Sequence, residues 1–303
     1  MTPTAIIDIG TNTLLLLIVD DQARRVVDLC RFGRLGKGLD ASGRLAADSI
    51  ANSLEICREY RRVMDDHGVS APKVIGTQAL REAANAAEFV RPAEQILGAM
   101  IDVIESAREA ELAFGSVAHA LPELAGKPYI VVDVGGGSTE LIACDGTRVL
   151  SATSVPIGAV RLTERHLAHD PPAEGELRAL DADIETRIAA LELPRRAPIV
   201  GTAGTATTLA AVHLALTKYD SDAVTGLRIS PAALAAHYAR LAAMTTAERR
   251  VLPGMEPQRA DVIVAGVAIF ARIVSTLLAP VMVVCDRGIR WGLAYELVRY
   301  PPT

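Results

Sequence analysis

One arrangement occurs twice in this chain: an apolar run whose next-to-last residue is an aspartate, a tight turn of glycine and hydroxyl residues, and a second apolar run. Residues 5–9 lead through Gly10, Thr11, Asn12 and Thr13 into residues 14–19. Residues 129–134 lead through Gly135, Gly136, Gly137 and Ser138 into residues 139–144. Asp8 and Asp133 hold the same place in each copy, 125 residues apart. Each gap is too short for a crossover helix, so each unit reads as a β-hairpin. A spacing of about one domain reads as a duplicated architecture, with one copy in each half.

The rest of the chain alternates short apolar runs with alanine-rich stretches, which predicts an α/β protein. Strands are expected at 73–76, 102–104, 198–200 and 281–284. Helices are expected at 79–90, with Pro92 breaking that helix or opening the next, and at 107–120, 206–216, 257–278 and 289–298. Residues 171–196 read as a helix with loop flanks and no chemical signal. Residues 121–128, rich in Pro and Gly, mark the expected boundary between domains 1–124 and 125–303. Half the residues are apolar, ample for two cores. A net charge of -5 and 4% aromatic residues argue against a nucleic-acid partner. A local arginine cluster for a polyanion remains compatible with an acidic whole. Residues 14–19 fall far short of a membrane span, and no leader precedes them, so neither membrane nor export is expected. Cys30, Cys57, Cys144 and Cys285 lack metal or redox spacing, which suits reduced thiols in a cytoplasmic protein.

A third glycine/hydroxyl turn, Gly201 to Thr205, precedes an expected helix. Glycines let backbone N–H groups converge on an anion, and adjacent hydroxyls add donors. Three such turns, two carrying an aspartate at one offset, point to phosphate binding. Neither common nucleotide motif is present: no Gly-x4-Gly-Lys-[Ser/Thr] occurs, and the first two turns lead into strands where a dinucleotide fingerprint needs a helix. His166 and His169 stand three apart with no third ligand at supporting spacing, so they read as surface residues. Arg161, Arg259 and Arg290 read equally well as ion-pair partners or as ligands.

Paired Asp-x-Gly hairpins with a later Gly-Thr-x-Gly-Thr turn resemble the actin, sugar-kinase and heat-shock ATPase superfamily. The finer resemblance is to the exopolyphosphatase / guanosine pentaphosphate phosphohydrolase family. Residues 8–13 resemble its D-[IL]-G-[ST]-N-[ST]; residues 34–39 its R-L-G-x-G-L; residues 77–85, including Arg81 and Asn85, its T-x-A-L-R-x-A-x-N. Residues 133–140 reproduce D-[IVL]-G-G-G-S-T-E, and 156–161, 252–254, 259–261 and 286–290 continue the likeness in order. The length matches the family's short, two-domain form. The resemblance implies two ribonuclease H-like (actin-like ATPase) domains, each a mixed sheet flanked by helices, with an interdomain cleft.

It further implies exopolyphosphatase activity: metal-dependent hydrolysis of the terminal phosphoanhydride of inorganic polyphosphate, with magnesium the usual cation. Guanosine pentaphosphate hydrolysis is the alternative, because both substrates present a triphosphate-like end. Glu140 and Glu109 take the catalytic positions. Gly10, Thr11, Asn12, Thr13, Lys37, Arg81, Gly135, Gly136, Gly137, Ser138, Thr139, Gly204 and Thr205 take phosphate-binding positions, and Asp133 and Asp8 hold the metal. The chain departs from the pattern at Glu105 and Ser106, at Arg108 in a glutamate's place, at Glu111 in an arginine's place, and at Leu15 where a polar residue is common. The altered 105–108 segment motivates a third reading, a non-catalytic protein that binds guanosine tetraphosphate or polyphosphate. A kinase of the wider superfamily would need an adenosine site at 201–205, and the full Ser-Thr-Glu motif argues against it. A homodimer is compatible with the sequence, which carries no feature that decides it.

Overall fold

The apolar runs that flank each Asp-x-Gly turn are the middle of a sheet. In the computed structural model, which describes residues 3–298, the chain divides into two units. The first contains β1 (Thr4–Ile9), β2 (Leu14–Val19), β3 (Arg25–Arg31), α1 (Leu39–Ser42), α2 (Ala47–Asp66), β4 (Lys73–Gly76), α3 (Gln78–Glu82), α4 (Ala87–Leu97), β5 (Ile101–Val103) and most of α5 (Ser106–Ala120). Its strand order is β3-β2-β1-β4-β5, with β1–β2–β3 antiparallel and β1–β4–β5 parallel. Central strands covered on both faces are apolar almost throughout, as in β1, rather than alternating.

The second unit contains β6 (Tyr129–Val134), β7 (Thr139–Cys144), β8 (Val149–Val155), α6 (Ala159–His166), α7 (Glu174–Ala189), β9 (Ile199–Thr202), α8 (Ala203–His213), α9 (Ser221–Val224), β10 (Arg228–Ile229), α10 (Pro231–Ala242), α11 (Thr246–Arg250), α12 (Ile263–Thr276) and β11 (Met282–Val284). Its order β8-β7-β6-β9-β11 repeats the first sheet, and β10 is added at the far edge. Both units are therefore mixed sheets of one topology flanked by helices, the ribonuclease H-like arrangement.

The division differs from the boundary expected at 121–128. The first unit ends at Ser116 inside α5, and the last helix, α13 (Ile289–Leu297), belongs to it. The reason is apolar: Trp291, Ala294 and Tyr295 bury against Ile6, Leu17 and Val19 on one face of that sheet. Gly292 permits the approach to α5, since a Cβ there would meet the Leu112 carbonyl oxygen at 2.1 Å. The opposite face packs Ile7, Ile9, Leu14, Leu16 and Ile18 among Tyr60, Met64, Phe89 and Leu97. In the second unit Ile130, Val132, Val134 and Leu141 pack with Ile263, Val267, Phe270 and Val274 of α12. Among the described residues no helix is long and apolar enough to cross a membrane.

Candidate active site

The two hairpin turns have the same construction. Gly10 N–H donates to the Thr13 carbonyl at 2.9 Å, and Gly135 N–H to the Ser138 carbonyl at 3.0 Å. Each turn is backed by a second segment containing a glycine. In the first unit Gly36 N–H donates to Thr11 O at 2.8 Å and Arg34 N–H to Asn12 O at 3.0 Å. In the second, the first turn of α6 does this work: Ala159 N–H donates to Gly135 O at 2.9 Å, and Val160 N–H to Gly136 O at 2.8 Å. Gly158 makes the approach possible, because a Cβ there would meet the Gly136 carbonyl oxygen at 2.4 Å. The motifs at 34–39 and 156–161 are thus buttresses of the turns.

That buttressing aims donors. The C=O and N–H of a trans peptide point in opposite directions, and the one cis bond among the described residues is Asp170–Pro171. With the carbonyls of Thr11 and Asn12 turned to the buttress, the N–H groups of Asn12 and Thr13 point away from it. By the same geometry the N–H groups of Gly136 and Gly137 point away from α6. Each turn therefore directs two successive backbone donors to one side, the concave arrangement that favours an anion.

The side chains of the turns are used differently from expectation. Thr11 donates its hydroxyl proton to Gln78 Oε1 at 2.8 Å, and Thr139 donates to the Ile157 carbonyl at 2.6 Å. Ser138 donates to Glu140 Oε1 at 2.8 Å. A hydroxyl has one proton, so in this arrangement these three hold the turns and the carboxylate rather than a phosphate. Thr205 packs its side chain on Gly266 and is 3% exposed. Gly204 opens space for a side chain: a Cβ there would lie 2.0 Å from Cζ of Arg259, so the guanidinium rests on the first turn of α8. Lys37 is exposed, with Nζ 3.6 Å from Asp48.

The carboxylates are placed by strand register. Asp133 on β6 is directly opposite Thr202 on β9 and Glu140 on β7, and Glu140 is opposite Ser154 on β8. Directly opposed residues share a face, so Thr202, Asp133, Glu140 and Ser154 form one row across four strands. Thr202 Oγ1 donates to Asp133 Oδ2 at 2.9 Å, and Ser154 Oγ donates to Glu140 Oε1 at 2.8 Å. Burial raises the Asp133 pKa above the ordinary aspartate value, with the Thr202 hydrogen bond opposing it. Glu140 is also buried. Ser154 lies in a strand that sequence reading did not identify; only the register reveals it.

In the first unit Asp8 is buried between Ile75 on β4 and Leu15 on β2. The ionic group there comes from helices. Arg81 on α3 pairs with Glu109 on α5 through Nη1 and Oε1, and also reaches the Ile104 carbonyl at 2.6 Å and Ser106 Oγ at 3.3 Å. Ser106, in the place of a glycine, is thus a partner of the arginine. The departures at 108 and 111 are linked as well. Arg108 pairs with Glu111 at 3.0 Å, an i,i+3 pair in which both charges are exchanged relative to the family pattern, and it also bridges to Glu296 of α13. Arg290 pairs with Asp28 at 2.9 Å. His166 and His169 are bound to Asp183 and Glu176 at 2.9 and 2.8 Å.

Comparison with known proteins shows what the chain is similar to. The model of the Ppx/GppA phosphatase family matches residues 18–300. The chain is 36% identical over 282 residues to exopolyphosphatase 2 of Mycobacterium tuberculosis, covering 88% of each. It is 30% identical over 311 residues to a guanosine-5'-triphosphate,3'-diphosphate pyrophosphatase of Vibrio cholerae, covering 97% of this chain and 59% of that protein. The crystal structure of the Aquifex aeolicus member of the Ppx/GppA family matches with a TM-score of 0.81 at 31% identity, over 99% of each chain. With the family match spanning nearly the whole sequence, this chain belongs to the Ppx/GppA phosphatase family.

Proposed function

We propose that the protein is a divalent-cation-dependent exopolyphosphatase that removes orthophosphate from the end of inorganic polyphosphate. The observation that carries this reading is the row Thr202, Asp133, Glu140, Ser154, which holds two acids beside a turn whose N–H groups are aimed together. The exopolyphosphatase relative at 36% identity supports the choice of substrate. In the reaction a water oxygen bonds to the terminal phosphorus, the bridging P–O bond breaks, and the shortened chain leaves with the electron pair. Glu140 takes the water's proton. The N–H groups of Gly136 and Gly137, in the same unit as Glu140, donate to phosphoryl oxygens, where charge must be neutralised. In the first unit, Arg81 offers a guanidinium to a phosphate and holds Glu109, the second acid of the proposal.

The donor set suits magnesium. Asp133 and Glu140 are directly opposed like charges, which a cation would offset. Among the described residues no group of three or more His, Cys, Asp or Glu forms a complete cage. A cation that keeps most of its water and is held by one or two carboxylates plus substrate phosphate fits such a place. When bound, magnesium supplies charge neutralisation on the phosphoryl oxygens. Asp133 would hold it, and Asp8 is the corresponding carboxylate of the first unit.

The test is phosphate release with magnesium from polyphosphates of several lengths and from guanosine pentaphosphate. Release from polyphosphate, abolished by a chelator and restored by magnesium, is the expected result. Faster release from guanosine pentaphosphate would favour the second reading, for which the 30% identity to the Vibrio cholerae protein speaks. Tight polyphosphate binding without release under several divalent metals would replace both with a binding protein. A cytoplasmic location and a homodimer belong to the same proposal and are checked by fractionation and by light scattering.

A further inference from the structure

We propose that Ser154 is a positioning residue for Glu140, a role that rests on the reading of Glu140 as the base. The register of β7 and β8 places Ser154 directly opposite Glu140. Its Oγ donates to Glu140 Oε1 at 2.8 Å, and Ser138 Oγ donates to the same oxygen at 2.8 Å. The two donors come from different elements: Ser138 from the turn, Ser154 from the edge strand.

A glutamate carboxylate turns freely about its last torsion, whose energy profile is broad. One hydrogen bond leaves the plane able to swing about the bonded oxygen. A second donor on that oxygen fixes the plane, so the rotamer freedom is already lost before substrate arrives. A base works only when its oxygen is within hydrogen-bond reach of the proton it takes, so this orientation contributes directly to rate.

The row explains why the outer donor is needed. Asp133 and Glu140 are directly opposed, and like charges in that relation repel. Each acid receives a hydroxyl from its outer neighbour, Asp133 from Thr202 and Glu140 from Ser154. The hydroxyls turn the two carboxylates toward opposite ends of the row. Removing Ser154 takes away the donor at the outer end of the row and lets the base lean toward Asp133. Ser154 is itself exposed, so its replacement carries little structural cost beyond the lost hydrogen bond.

The experiment measures magnesium-dependent phosphate release from polyphosphate for Ser154→Ala, Ser154→Thr, Glu140→Gln and the Ser154→Ala/Glu140→Gln double variant, with thermal melting of each. Ser154→Ala is expected to lower kcat roughly tenfold, the worth of one hydrogen bond to a charged group. KM should stay within about twofold. Ser154→Thr restores the hydroxyl on a residue at home in a strand and should restore most of kcat. In the Glu140→Gln background, Ser154→Ala should cause no further loss. Wild-type kcat in Ser154→Ala beside a crippled Glu140→Gln overturns the role of Ser154 while leaving the base in place. An undiminished Ser154→Ala loss in the double variant, or a loss confined to KM, overturns it equally. Normal turnover in Glu140→Gln removes the base and this role together.

Discussion

The two hairpins are nearly the same object in backbone and quite different in side chains. Both turns close with the same N–H to carbonyl bond, both are backed by a glycine segment, and both aim two backbone donors to one side. The row across the first sheet, however, reads Ile75, Asp8, Leu15, Cys30, where the second reads Thr202, Asp133, Glu140, Ser154. Leu15 thus stands where Glu140 stands in the other unit. What the two units share is the part that needs backbone alone, and the second carries the acid pair with its hydroxyls. The first unit instead draws its ionic group from α3 and α5, as the Arg81–Glu109 pair.

The largest effect should separate these two roles. Glu140→Gln keeps the size and the hydroxyl contacts of the side chain but not its basicity. Turnover should fall by roughly 10²–10⁴-fold, the usual worth of a general base, with the melting temperature nearly unchanged. If the second hairpin is the chemical one, Leu15→Gln in the first should change kcat by far less. Equal losses from both substitutions in the phosphate-release assay would abolish the asymmetry.

The Arg81–Glu109 pair should behave in the opposite way, affecting stability as well as rate. Its side chains are 15% and 9% exposed, and breaking so buried an ion pair is costly. Arg81→Ala is expected to cost about 3–5 kcal/mol by denaturant unfolding, together with weaker substrate binding. Glu109→Gln should cost less, because Arg81 keeps the Ile104 carbonyl and Ser106 as acceptors. An Arg81→Ala variant that unfolds like wild type would show the pair to be outside the structural support of the first unit.

Much of this contrast was open to reading from the sequence, and the rest was not for definite reasons. Aspartate, glycine turn and apolar run mark both hairpins, and β2, β4, β6 and β7 fall on the expected residues. β8 escapes notice because its run 150–154 is exposed on both faces and so shows no alternation. Ser154 is invisible with it. The helix expected at 79–90 is two helices, with Asn85 between them bonding both the N–H and the carbonyl of Leu45. Pro92 lies inside α4 rather than at a break. The long helix expected at 257–278 opens as a 3-10 turn, Pro257–Arg259, and resumes at Ile263. Composition of the turns points to phosphate, but a hydroxyl's direction is decided by its neighbours. That is why composition points Thr11, Thr139 and Thr205 to an anion while their side chains meet Gln78, Ile157 and Gly266.

The buttress glycines allow a finer comparison of the two turns. At Gly158 a Cβ would strike backbone of Gly136 and Gly137 at 2.4–2.5 Å, whereas at Gly36 the first contact is the Thr11 methyl at 2.0 Å. Backbone cannot step aside without moving the turn, while the Thr11 methyl can move with its rotamer at the cost of the Thr11–Gln78 hydrogen bond. Gly158→Ala should therefore destabilise by about 1–3 kcal/mol, the usual range for overpacking, and raise KM as the Gly136 and Gly137 donors shift. Gly36→Ala should do less of both. Equal KM values in the two variants would mean that backing the turn is unnecessary for aiming its donors.

The smallest effect is expected at the far end of the first row. Cys30 holds the place that Ser154 holds in the second, and it is the one exposed thiol among the described cysteines. Burial pushes the thiols of Cys57, Cys144 and Cys285 up to about 12, so they are inert at neutral pH. A maleimide at pH 7 should label one cysteine per native chain by mass spectrometry, and phosphate release should stay near its starting rate. The same reagent on Ser154→Cys should label two and stop turnover, because an adduct opposite Glu140 displaces the carboxylate that the serine had oriented. If the Cys30 adduct alone stopped turnover, the first row would have to take part in the chemistry, and an apolar row of Ile75, Leu15 and Cys30 around Asp8 would need a reason that hydrophobic packing does not provide.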